Sequence, residues 1–205
     1  NRIEYAHNLD TRQEVITDRL GNLTVYEYDT NGWITSKTDS EGNTTTYTYD
    51  QYGNKTSQTD PGGNTISWTY DPRGNMLSET KILDGENVTT SWTYNASGKV
   101  LSQTDSLGNS TIKTYDSKGN LLTSTDAEGN VTTNAYNSRG NLVSVTDGEG
   151  NSITYEYDTY GNLTKEIDAL GNVTTYTYDG NGNILTETDP SGGVTRYTYS
   201  KSNRL

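Results

Sequence analysis

The 205-residue sequence has no cysteine and no phenylalanine, one methionine, one histidine and three prolines. Without cysteine there is no disulfide framework, no thiol catalysis and no structural zinc site of the usual kind. With one histidine, His7, a Ser-His-Asp relay or a histidine metal cage is a poor reading from the outset. Leu, Ile and Val together number 32 of 205, below the roughly 20% that goes with an ordinary core. No stretch approaches the ~18 apolar residues of a membrane span. Nor is there a charged-then-apolar start of the signal-peptide type. Acidic side chains outnumber basic ones 27 to 15, for a net charge of −12, so the surface repels nucleic acid and anionic lipid. By composition alone the chain belongs with disordered proteins. That rule presumes an irregular sequence, and this one is regular.

What the sequence has in abundance is Thr (36), Asn (22), Gly (21) and Tyr (17), arranged with a period of 21. The pattern Tyr26-Glu27-Tyr28-Asp29 returns as Tyr47-Thr48-Tyr49-Asp50, Trp68-Thr69-Tyr70-Asp71 and Trp92-Thr93-Tyr94-Asn95. It continues through Tyr115-Asp116, Tyr136-Asn137, Tyr155-Glu156-Tyr157-Asp158 and Tyr176-Thr177-Tyr178-Asp179 to Tyr197-Thr198-Tyr199. All nine copies keep the second Tyr, and every step is 21 except the 24 from Tyr70 to Tyr94, which places a three-residue insertion around Ile82 to Glu86. A worn tenth copy, Tyr5-Ala6-His7-Asn8, lies one period before Tyr26. His7 there fills a Tyr slot and reads as a worn repeat position rather than a catalytic group.

A second signal, Thr-Asp-x-x-Gly-Asn, sits between the aromatic pairs, as at Thr38 to Asn43 and Thr146 to Asn151. Each repeat thus carries two Asp-x-x-Gly turns. The Asp side chain caps a type I turn and the glycine supplies positive φ, which together make a three-residue hairpin loop with a bulge. The segments between turns are about six or seven residues long and rich in Thr, Tyr, Val and Ile, as in Asn172 to Tyr178. They read as strands, and a glycine every ten or eleven residues defeats any helix. Asp10 to Leu20, which lacks glycine, is the one segment where a short helix is an alternative.

If Asp opposes Asn across each turn, Tyr157 faces Leu163. By the same offset Tyr28 faces Ile34, Tyr70 Met76, Tyr94 Val100, Tyr115 Leu121, Tyr136 Leu142 and Tyr178 Ile184; Tyr49 alone meets a polar residue, Lys55. Such aromatic–aliphatic pairs contribute roughly 0.2–1 kcal/mol each. Parity adds a constraint. Strands of seven (Asn162 to Asp168) and eight residues (Asn172 to Asp179) alternate, which turns the Tyr column to the other face once per repeat unless a bulge or a second, different turn absorbs one residue. About twenty strands at ~4.8 Å spacing make a sheet wider than open sheets reach without curling.

The unit Tyr-x-Tyr-Asp-x-x-Gly-Asn-Leu-x-x-x-Thr-Asp-x-x-Gly-Asn-x-Thr-x, of which Tyr157 to Thr177 is a clear copy, resembles the YD repeat, also called the Rhs repeat, over essentially the whole chain. The resemblance implies an all-β fold: tandem 21-residue β-hairpin repeats in one long antiparallel sheet that spirals into a hollow shell or tube. Bacterial Rhs and Tc toxins and animal teneurins carry such shells, which are largely containers. The sequence differs from those proteins in showing no plug, self-cleavage segment or toxin domain. The expected organisation is one array over 1–205, with a degenerate first copy at 1–20, regular copies over 21–199 and a truncated copy at 200–205.

Other site readings are weaker. Asp179-Gly180-Asn181-Gly182-Asn183 echoes half a calcium loop, but Ile184 stands where that loop needs Gly. Asp60-Pro61, Asp71-Pro72 and Asp189-Pro190 are turn formers. Nine Asn-x-Ser/Thr sequons, among them Asn22, Asn43, Asn54, Asn130, Asn162 and Asn172, follow from the repeat itself. Among the aromatics, Trp33, Tyr52 and Tyr160 fall out of phase and divide evenly between packing and sugar stacking; Trp68 and Trp92 are in phase and read as packing. The expectation is a non-enzymatic structural segment with no catalytic residue, cofactor or metal, secreted or on the surface of a bacterial cell. Its partners would be further repeats of the same chain or other copies, an enclosed polypeptide, or glycans. A self-assembling filament and a carbohydrate-binding or adhesive surface protein are the alternatives.

Overall fold

The computed structural model describes residues 3–199; the expected truncated copy at 200–205 lies outside them. The chain divides into two units, Asn1–Asn109 and Ser110–Leu205. The first holds β1 (Glu4–Asn8), β2 (Gln13–Thr17), β3 (Leu23–Tyr28), β4 (Ile34–Thr38), β5 (Thr44–Tyr49), β6 (Lys55–Thr59), β7 (Thr65–Tyr70), β8 (Met76–Leu83), β9 (Glu86–Tyr94) and β10 (Val100–Thr104). The second holds β11 (Ser110–Tyr115), β12 (Leu121–Thr125), β13 (Val131–Tyr136), β14 (Leu142–Thr146), β15 (Ser152–Tyr157), β16 (Leu163–Ile167), β17 (Val173–Tyr178), β18 (Ile184–Thr188) and β19 (Val194–Arg196). Within each unit every strand pairs antiparallel with its neighbours in the chain. The fold is all-β, as the period requires. Asp10 to Leu20 holds β2 rather than a helix: Gln13 to Thr17 pair on one side with β1 and on the other with β3, and ladder bonds on both sides outweigh weak helix propensity.

The turns are built as their residues dictate. In the one after β15, the Gly161 amide donates to the Asp158 carbonyl at 3.2 Å and the Asp158 amide to the Asn162 carbonyl at 2.9 Å, which is a type I turn closed by a left-handed glycine (φ 95°). The insertion has its own solution. Asp84 and Gly85, at φ 52° and 83°, form a two-residue turn with both central residues left-handed, the type that suits an Asp-Gly pair, and it extends β8 and β9 by one pair beyond Ile82↔Asn87 to Leu83↔Glu86.

Cross-strand partners follow the Asp–Asn offset. Tyr28 pairs with Ile34, Tyr49 with Lys55, Tyr70 with Met76, Tyr94 with Val100, Tyr115 with Leu121, Tyr136 with Leu142, Tyr157 with Leu163 and Tyr178 with Ile184. The parity problem is solved by a bulge in each of these hairpins. In β16, Leu163 pairs with Tyr157 but Lys165 with Glu156, so Thr164 is the extra residue. Lys165 then pairs with Thr175. Tyr157, Leu163, Tyr176 and Tyr178 therefore share one face, and Glu156, Lys165 and Thr175 the other.

The Tyr face is not dry, however. Among the described residues no hydrophobic side chain is fully buried, and the one buried residue is Ser36, whose hydroxyl donates to Glu27 at 2.9 Å. Each unit is a single layer.

Replacing Gly74 (φ 82°) by Val puts a β-branched side chain in the left-handed region and is expected to cost on the order of 1–2 kcal/mol. Ser57→Val, mid-strand in β6, is expected to be mild because Val suits a strand. Thermal melts of the two variants check this; equal losses count against the turn assignment.

Candidate functional site

The sequence singles out no catalytic residue, so the chemistry of interest is the repeated chemistry of the turns and of the Tyr column. Asp158 shows the first. Its Oδ1 accepts from the amides of Tyr160 (2.8 Å) and Asn162 (2.9 Å), and its Oδ2 from Asn162 Nδ2 (2.9 Å). The same clamp closes the turns at Asp18, Asp39, Asp50, Asp105, Asp116, Asp126, Asp168 and Asp179. The calcium-like segment at Asp179 is therefore a clamp of the ordinary kind, its carboxylate already turned onto Asn181 and Asn183. The sequon residues Asn22, Asn43, Asn54, Asn130, Asn162 and Asn172 all donate their Nδ2 to a turn carboxylate at 2.8–2.9 Å.

Hydrogen bonds to the ionised form hold these carboxyls below their ordinary range. In Asp158 and Asp179 the leading cause is the Asn162 or Asn183 side chain; Asp71, clamped first by Asn75, is lowered to about 2. A depressed folded pKa contributes stability above the unfolded value, near 3.8, that is lost as pH falls through the folded value. The thermal midpoint should therefore fall between about pH 4 and pH 2, where 14 turn Asp residues carry lowered values. Asn95 and Asn137 already cap turns without titrating. Asp71→Asn should accordingly keep its turn at pH 7 and shed its share of the acid dependence. Circular-dichroism melts from pH 5 to pH 2 measure both.

The second repeated contact is a tether. The Tyr178 hydroxyl donates to the Leu163 carbonyl at 2.7 Å, Tyr157 to Leu142 at 2.8 Å, Tyr136 to Leu121 at 3.0 Å and Tyr94 to Met76 at 2.7 Å. Each acceptor is the residue preceding the bulge of the previous hairpin. There the ladder has ended, as between β16 and β17 at Lys165↔Thr175, and the ring bridges the gap. Burial, followed by the charges of Tyr176 and Asp158, raises the Tyr178 phenol. Tyr178→Phe is expected to cost about 1 kcal/mol, whereas Tyr160→Phe, 91% exposed, should be silent; denaturant titration compares them.

The worn first copy departs from this scheme. The β1–β2 hairpin has no bulge and a loop closed by Arg12 at φ 54°. Full pairing of β2 with β3 leaves no gap, and Tyr28 instead donates to Glu14 Oε2 at 2.7 Å, a bond that pushes its phenol up to about 12. His7, opposite Glu14 in the ladder, lies 3.6 Å from that carboxylate and is largely exposed. The out-of-phase aromatics split. Trp33 packs on Tyr49, with ring centroids 5.5 Å apart, and covers Gly53; Tyr52 and Tyr160 stand 66% and 91% exposed. The hydroxyl tether is what sequence reasoning missed. The signal for it was the absence of Phe beside 17 Tyr.

The family model for the RHS Repeat matches the chain at residues 11–43, 28–65, 53–89, 94–131, 136–173, 158–194 and 178–205. No curated protein matches it. Among solved structures, TcdB2-TccC3 with Cdc42 aligns at 18% identity over 94% of this chain and 14% of that one, with a TM-score of 0.46. The Tc holotoxin pore of Photorhabdus luminescens aligns at 18% over 92% of this chain and 14% of that one, with a TM-score of 0.45. A porin-like protein of Bacteroides uniformis aligns at 13% over 94% and 92%, with a TM-score of 0.35. The chain thus spans a small part of the toxin chains it matches.

Proposed function

Because the chain belongs to the RHS Repeat family, we propose that residues 1–205 form one repeat array serving as a non-catalytic segment in the wall of a hollow β-shell or tube that encloses cargo. The observation that carries this reading is the missing core: among the described residues no apolar side chain is fully buried. A sheet ordinarily buries one face against a second layer. Here hairpins, clamps and tethers hold a single layer instead, and a single layer suits a wall. Sheets of many strands curl, and a curled wall encloses a lumen. The turn carboxylates, spent on their own turns, support a non-catalytic role. The protein would act outside the cell, in a bacterium, with further RHS repeats, an enclosed polypeptide or glycans as its partners.

A second reading, a carbohydrate-binding or adhesive surface, is favoured by Tyr52 and Tyr160, which project from turns with two-thirds or more of their surface free. Light scattering and negative-stain imaging of the purified chain separate the readings. The wall reading expects open arcs or hollow assemblies. A compact, filled monomer of 22.6 kDa overturns it and leaves the binding surface ahead.

A further inference from the structure

The face opposite the Tyr column carries a second regularity. Along β5 to β10 the register places Thr44, Thr46 and Thr48, then Ser57 and Thr59, Thr65, Ser67 and Thr69, Ser78, Thr80 and Ile82, Asn87, Thr89, Ser91 and Thr93, and Ser102 and Thr104 on that face. Directly paired residues form unbroken rows across the strands. One runs Thr48–Ser57–Ser67–Thr80–Thr89; others run Thr46–Thr59–Thr65 and Thr69–Ser78–Ser91–Thr104. No ionisable side chain lies on this face of β5–β10, although the chain carries a net charge of −12.

Hydroxyls pair along these rows: Thr48 with Ser57 at 2.7 Å, Thr59 with Thr65 at 2.8 Å, Thr69 with Ser78 at 2.6 Å, Thr80 with Thr89 at 2.8 Å and Thr93 with Ser102 at 2.6 Å. A hydroxyl has one donor and two acceptor positions, so each pair keeps bonding capacity toward the outside. Thr46, Thr48, Ser67, Thr69, Ser91 and Thr93 are exposed. The face therefore repeats one neutral group at roughly 5 Å across the strands and roughly 7 Å along them.

We propose that this face of β5–β10 binds the surface of ice. A ligand of finite size needs a local site, whereas this face offers one small hydroxyl repeated in two directions, with the pair Ile82↔Asn87 at its end beside the β8–β9 turn. Its complement is an uncharged solid that repeats a hydrogen-bonding group in two directions, and ice is such a solid. The longest row spans five strands, β5 to β9; with a strand-to-strand twist of roughly 20–25°, two or three neighbouring strands of it meet a flat solid at one time. The inference goes beyond the wall reading and requires that this face be turned to solvent.

The test follows the purified 205-residue chain, fluorescently labelled, into a slowly growing ice hemisphere, with ice recrystallisation as a second readout. Enrichment in the ice above an unrelated soluble protein is expected. Ser67→Tyr with Ser91→Tyr, substitutions that suit strands but break the array, should abolish it, while Thr90→Tyr on the opposite face should not. Circular dichroism confirms folding; should the double variant not fold, Thr46→Lys replaces it. Exclusion of the parent chain from ice overturns the proposal, as does undiminished enrichment of the folded variant. Adsorption to crystalline cellulose without adsorption to ice also overturns it and assigns the face to a polysaccharide. The size measurement on which the wall reading depends is independent of each result.

Discussion

A carboxylate that satisfies three N–H groups within one five-residue turn is the constraint on which the rest of the structure depends. With Asp158 bonded to the amides of Tyr160 and Asn162 and to Asn162 Nδ2, Asp is fixed opposite Asn, and Tyr157 therefore opposite Leu163. Once register is set at every turn, strand parity is no longer free. A 21-residue unit with two such turns holds one residue too many to keep its tyrosines on one face, so the surplus leaves the ladder as Thr164 and its counterparts. The bulge is a consequence of the clamp, and the tether is a consequence of the bulge.

That sequence of causes explains how a chain with so few aliphatic residues holds together. A buried core gains from apolar area; this sheet gains from contacts renewed at every hairpin. It also explains a compositional oddity. Phenylalanine could supply the ring that spans from Tyr178 to Leu163, but not the hydroxyl that reaches the Leu163 carbonyl at 2.7 Å. A backbone carbonyl left without a ladder partner is costly to leave unmatched. In the first copy β2 pairs with β3 along its full length, and the hydroxyl of Tyr28 turns to Glu14.

Much of this was legible in the sequence because it is local. The period, both turns of the repeat, the Tyr–Leu pairing and the need to absorb one residue per repeat follow from residue spacing and pleat parity. The Asp84-Gly85 turn was equally local: the insertion was visible, and an Asp-Gly pair between strand-forming runs is itself a hairpin signal. What spacing could not show was the destination of the Tyr hydroxyls, because it depends on where the ladder between successive hairpins stops. The absence of a dry face was likewise hidden. Alternation predicts which side chains share a face, but not whether a second layer covers it. Nor could spacing separate Trp33, folded onto Tyr49, from Tyr52 and Tyr160, which are exposed.

Within each unit the two rows of turns are unlike in contacts and in charge. Three of the turns following a Tyr carry a cation at their third position that reaches forward to the next turn. Arg73 donates to the Ala96 carbonyl at 2.6 Å, Lys118 to Ser138 at 2.8 Å, and Arg139 to Thr159. Successive turns in this row touch, so that a Cβ added at Gly74 or Gly182 would lie 3.5 Å from the Asn54 or Asn162 amide oxygen. In the other row the eight Asp-x-x-Gly turns from Asp18 to Asp189 add Glu41, Glu128 and Glu149 to their own Asp residues, against the single cation Arg19. There the left-handed glycines, from Gly21 to Gly192, have nothing within 4 Å of an added Cβ. Within each unit the net negative charge of the turns is thus greater in one row than in the other, and the like charges of that row repel one another.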